Sequence, residues 1–152
     1  MNPQLSVSTD KTLYESDFYL WLSTTAQLLR NGNFSEIDLD NLIEEIEGMA
    51  RKEKQALKSN LRILLMHLLK WNYQPDKRTN SWRSTIREHR KRLKDAFDDS
   101  PSLKPYYLDF FTHGYQDARE LASDETGLSF DTFPVDSPFT PEETLNEDYL
   151  PD

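Results

Sequence analysis

The sequence has no cysteine, so neither a disulfide framework nor a thiolate metal site can form. Only four of its 152 residues are glycine, where ordinary usage would supply about eleven. β-Branched aliphatics are scarce too: five isoleucines and two valines stand against 21 leucines. A chain short of turn residues and strand formers points to helices. No apolar run approaches the ~20 residues that span a bilayer; the longest is Ile63 to Met66, resumed beyond His67 by Leu68 and Leu69. Met1 to Asp10 has neither a basic nor an apolar signal region, so a cytoplasmic location without a membrane partner is expected. There is no phosphate-binding glycine loop and no nucleophile elbow. The expectation is therefore a non-catalytic protein without a cofactor.

Charge is abundant and unevenly placed. The formal net charge is −9. Residues 51–94 nevertheless hold 14 Lys/Arg against Glu53, Asp76 and Glu88, a balance of +11, and the remaining 108 residues carry −20. An acidic protein thus has a basic belt in the middle of its sequence.

Helical periodicity organises the chain. The spacing of Phe18, Leu22, Thr25 and Leu29 predicts a helix over 16–30, stopped by Asn31-Gly32. A second helix opens near Asp38 or Asp40 and runs 30–35 residues to Pro75, with Gly48 and residues 51–55 as its weakest stretch. Its first half is acidic outside (Glu44, Glu45, Glu47) and its second half basic outside (Lys54, Lys58, Arg62, Lys70). Asn80 or Ser81 caps a third helix with the core stripe Trp82, Ile86, His89, Leu93 and Phe97. Ser100-Pro101 reads as N-cap and first residue of a fourth, burying Leu103, Tyr107, Phe110, Phe111, Ala118 and Leu121 and stopping at Gly127. The last 26 residues hold four prolines, seven acids and no Lys or Arg. Their aromatic residues and the capping-box text of residues 140–143 predict ordered coil plus a short helix. The expected whole is an all-α, up-down bundle of about four main helices, with the irregular acidic C-terminal segment packed on it. It forms a single domain over 1–152, flexible over 1–12.

Several phrases carry a resemblance. They include Tyr14 to Phe18, Thr25 to Arg30, Asn41 to Glu47, Leu65 to Trp71, Asp99 to Lys104, Glu125 to Leu128 and Pro138 to Thr140. The chain resembles the bacterial domain of unknown function family 29, abundant in cyanobacteria. The resemblance implies an all-helical fold in a bacterial cytosol and brings no activity with it.

The basic belt is the main functional feature. Arg83, Arg87, Arg90 and Lys94 share one helical face, with Lys77 and Arg78 in the preceding loop. Such an array suits an acidic protein, a second copy of the chain or nucleic acid, although the net charge opposes the last at long range. Two alternatives remain open. Arg62 to His67 and Arg83 to His89 fit the loose Arg-x4-6-His pattern of helical HEPN-type ribonucleases, in which arginine stabilises phosphorane charge and histidine moves the proton. His67, His89 and His113 could instead converge on a metal inside a bundle.

Overall fold

The structure, a computed structural model, describes residues 11–152, with side chains from residue 13. The expectation of a flexible N-terminus otherwise lies outside the described residues, although Lys11 and Thr12 already belong to a helix. The fold is an all-α helical bundle, and no strand occurs among the described residues. Among the described residues its elements are α1 (Lys11–Ser16), α2 (Phe18–Arg30), α3 (Leu39–Tyr73), α4 (Asn80–Asp99), α5 (Leu103–Thr126) and α6 (Pro141–Leu145), with three short 3-10 turns between them. The chain divides into two compact units, residues 1–52 and 53–152.

In the first unit, the side chain of Asp17 accepts from Leu20 N at 3.0 Å and so separates α1 from α2, a break that apolar periodicity does not reveal. Gly32, at φ +76°, turns the chain out of α2, a conformation open to glycine at little cost. Trp21 is wholly buried, with Tyr14 edge-on at 4.8 Å and Phe18 stacked at 5.9 Å. The Tyr14 hydroxyl donates to Glu45. This core is small, and Leu22, Leu29, Phe34 and much of the apolar face of α3 remain exposed.

Helix α3 is 35 residues long and unbroken through Gly48. Asp38 starts it, accepting from Asn41 N and Nδ2, and Pro75 lies just past its end. In the second unit its leucines Leu57, Leu61, Leu64 and Leu68 form the centre of the core. Around them pack Ile86 and Leu93 of α4, Tyr107, Phe111, Tyr115 and Ala118 of α5, and Phe133 and Phe139 from the C-terminal segment. Gly114 permits the close approach of α5 to α3, since a Cβ there would sit 3.2 Å from Leu61 Cδ2.

Three sequence expectations need correction. Helix α4 is capped by Thr79, whose hydroxyl accepts from Trp82 N at 3.1 Å. Helix α5 begins at Leu103, because Ser100 N still bonds Ala96 O at 2.8 Å and so closes α4. Leu121 faces solvent, whereas Ala122 beside it is buried.

The C-terminal segment is packed on the second unit and held chiefly by its backbone. Trp71 Nε1 donates to Pro151 O at 3.1 Å, and Tyr107 Oη to Pro141 O at 2.8 Å. Tyr115 Oη donates to Pro134 O at 2.7 Å, and Arg119 to Phe133 O at 2.9 Å. The helices thus supply donors to carbonyls that no regular ladder would satisfy. A complete capping box between Thr140 and Glu143 starts α6.

Candidate binding groove

Helix α4 is strongly amphipathic by sequence, but its two faces are not divided where the residue types suggest. Ile86, Arg90 and Leu93 point into the unit, and Arg83, Arg87, Lys91 and Lys94 are exposed. Arg90 is only 4% exposed; its Nε donates to Thr144 O at 2.9 Å, and a second nitrogen lies 3.5 Å from Glu143 O. Burial lowers its pKa, partly opposed by Tyr149 and Glu147. This residue ties α4 to α6.

A groove of about 530 Å³ lies alongside α4. Arg83, Arg87, Arg90, Lys91 and Lys94 line it, with Ile86 and Leu150 as apolar surface and Asp95, Asp98 and Glu147 as acids. A second hollow of about 370 Å³ shares Arg90, Lys94, Asp98 and Glu147, and adds Phe97, Lys104 and Leu145. Among the described residues, Arg87, Lys91 and Lys94 have no carboxylate within 4.0 Å. Lys91 extends the spacing of Arg83 and Arg87 by one more turn, a row legible as i, i+4, i+8. Leu150 and Glu147 had no such signal, because only the path of the C-terminal segment brings them to α4.

Most of the rest of the belt is engaged elsewhere. Arg78 donates from Nε to Trp71 O at 2.8 Å and from another nitrogen to Asp152 O at 2.7 Å, and its guanidinium lies 4.9 Å from the Trp71 ring centre. Lys77 is exposed in the loop and lines neither hollow. On α3, Lys54 stands 4.8 Å over Tyr106, Lys58 5.2 Å over Phe110, and Arg62 bonds Asp117 at 2.8 Å. Lys70, read from sequence as an outer residue, is buried, 3.6 Å from Glu125 and 4.6 Å over Trp82. The α5 side chains therefore occupy the α3 part of the belt, and the α4 part faces the groove.

A family model described as Domain of unknown function DUF29 matches residues 13–150. The chain belongs to the DUF29 family. No curated protein and no solved structure matches it.

The histidines of this DUF29 chain are dispersed in role. Nδ1 of His67 lies 3.0 Å from Ile63 O and Nδ1 of His89 lies 2.9 Å from Thr85 O, each turned to the carbonyl four residues back on its own helix. Burial lowers the pKa of His67, against the raising effect of the Ile63 carbonyl. His113 is exposed on α5, with Nε2 3.6 Å from Asp117 Oδ2. Among the described residues no group of three or more His, Asp or Glu is disposed to hold a metal ion, so His67, His89 and His113 do not form the site considered from sequence. Of the Arg-His pairs, Arg62 is engaged by Asp117 and by the Phe110 ring at 5.6 Å. Arg83 lies 5.3 Å over Trp71, with His89 turned to Thr85.

Proposed function

We propose that this DUF29 chain is a non-catalytic interaction protein of the bacterial cytoplasm whose α4 groove holds an acidic segment of a partner protein. The observation that supports this reading is the row Arg87, Lys91 and Lys94, without carboxylates at ion-pair distance among the described residues, beside the apolar surface of Ile86 and Leu150. Cations one turn apart repel one another, and an acidic ligand relieves that repulsion. Each exposed pair contributes about 0.2–1 kcal/mol and weakens with salt, so several must act together.

An acidic polypeptide fits better than a nucleic acid. Asp95, Asp98 and Glu147 interrupt the cationic path that a phosphate backbone would follow. Ile86 and Leu150 offer contacts to aliphatic side chains instead. The net charge of −9 disfavours a long polyanion further.

The test is titration of the full chain with a labelled peptide of alternating Glu and Leu, beside RNA and DNA oligonucleotides of equal charge. Peptide binding that declines with salt, and that falls at least about tenfold in R87E/K94E at unchanged Tm, is the expected result. Preference for the oligonucleotides, or undiminished peptide binding by the variant, overturns the reading. Arg90 is unsuitable as a probe because its replacement frees α6.

A further inference from the structure

The two hollows beside α4 share Arg90, Lys94, Asp98 and Glu147. At this junction Arg90 is 4% exposed, and no carboxylate lies within 4.0 Å of it among the described residues. Its hydrogen bonds end on neutral carbonyls, from Nε to Thr144 O at 2.9 Å and from Nη2 to Glu143 O at 3.5 Å. The other terminal nitrogen, Nη1, makes no hydrogen bond among the described residues. Nor is it sealed, since the enclosed side-chain atoms without a partner belong to Trp21, Thr25 and Arg119. Nη1 therefore meets the open space of the hollows that Arg90 lines. A buried guanidinium balanced only by dipoles is unfavourable, and an anion at contact distance relieves it.

We propose that the α4 groove holds its ligand by one carboxylate seated at this junction, on Nη1 of Arg90 and Nζ of Lys94. The inference rests on the acidic-segment reading above and names its anchor. Lys94 is one turn on from Arg90, lines both hollows and has no carboxylate within 4.0 Å among the described residues. Ile86 and Leu150 line one hollow, Phe97 and Leu145 the other. A carboxylate arriving between them pairs beside apolar surface, where the contact is stronger than an open surface pair. The same junction disfavours a phosphate. Asp98 and Glu147 stand there, and a phosphomonoester brings nearly two negative charges against them, a carboxylate only one. A carboxylate also presents the planar pair of oxygens that suits a guanidinium edge. Glu147, whose charge acts on Arg90 from beyond contact, competes with the ligand for these cations.

The experiment is titration of the ¹⁵N-labelled full chain, giving Kd and the shifts of the arginine Nε–Hε resonances. The probe is an amidated peptide of alternating Ser and Leu with one central Glu. Beside it stand the amidated Gln counterpart, a Gln counterpart with a free C-terminal carboxylate, and a phosphoserine counterpart. The Glu peptide should bind at least about fivefold more tightly than the amidated Gln peptide, and should shift the Arg90 resonance. K94Q should remove most of that advantage. R92Q deletes a cation that pairs with Glu88 and lines neither hollow, and should retain it. E147Q should enlarge it about twofold. An equal advantage for the free C-terminus would assign the carboxylate to a chain end, and none would assign it to a side chain. Tighter binding of the phosphoserine peptide than of the Glu peptide overturns the choice of carboxylate. If the alternating Glu and Leu peptide binds but the Arg90 resonance stays still, or K94Q behaves as R92Q does, the anchor is overturned and the wider reading stands. Absence of binding by every peptide overturns both.

Discussion

Arg90 on α4 donates from Nε to the carbonyl oxygen of Thr144 on α6 at 2.9 Å, and both residues are buried. Removing the guanidinium leaves that carbonyl without its donor. R90A is expected to destabilise the fold by about 2–3 kcal/mol, lowering Tm by roughly 5–10 °C. R90K should recover only part of this, since an ammonium cannot reproduce the planar geometry. Differential scanning calorimetry of both variants measures the effect.

A chain ending at Thr126 loses the acceptors of Trp71, Arg78, Arg90, Tyr107, Tyr115 and Arg119 together. It also loses Phe133 and Phe139 from the core. The expected product keeps far-UV helicity, loses its near-UV signal and binds a hydrophobic dye, as a loosely packed globule does. A native near-UV spectrum would contradict the structural role assigned to residues 127–152.

Stability should fall toward acid through His67. Burial holds its folded pKa below the ordinary value of 6.5, partly offset by the Ile63 carbonyl. The unfolded chain therefore takes up the proton first. Well above 6.5 both states are neutral and His67 contributes no slope; as pH drops through that value stability declines, levelling once the folded imidazole is protonated as well. Chemical denaturation across this interval, compared with H67Q, should show a shallower decline in the variant.

The alkaline limb has the opposite origin. Burial pushes Tyr115 up to about 12, partly opposed by Arg119, and raises Tyr107 further. Both phenols ionise earlier in the unfolded chain, so stability should decline as pH rises above 10. Y115F should reduce that decline, at the cost of the hydrogen bond to Pro134 O.

Two glycines on helices should respond with opposite signs. At Gly114 a new Cβ would come within 2.9 Å of Phe110 Cε2 and 3.2 Å of Leu61 Cδ2. G114A should destabilise by about 1 kcal/mol, overpacking outweighing the gain in helix propensity. At Gly48 the nearest atom is the flexible end of Arg51 at 3.5 Å. G48A should stabilise by about 0.5–1 kcal/mol. Paired urea titrations test both.

The helices were legible because their signals are local. Leucine periodicity, Pro75 and Gly127 delimit most of α3 and the end of α5 without reference to anything distant. The candidate groove was legible only in part. Arg83, Arg87, Arg90 and Lys94 form a regular cationic row, yet Arg90 turns inward because its acceptor lies 54 residues away. Lys70 is withdrawn in the same way by Trp82 and Glu125. Spacing along one helix reports which side chains share a face. It does not report which distant carbonyl or ring will occupy that face.

The fastening of the C-terminal segment also sets a clock. Trp71 and its acceptor on Pro151 are separated by 80 residues, and Arg78 and its acceptor on Asp152 by 74. At ordinary translation rates Trp71 leaves the ribosome on the order of ten seconds before its acceptor does. Throughout that interval the leucine seam of α3 exists without the segment that closes over it. The nascent second unit is then an incomplete bundle exposing apolar surface, and it matures only when its last-made residues arrive.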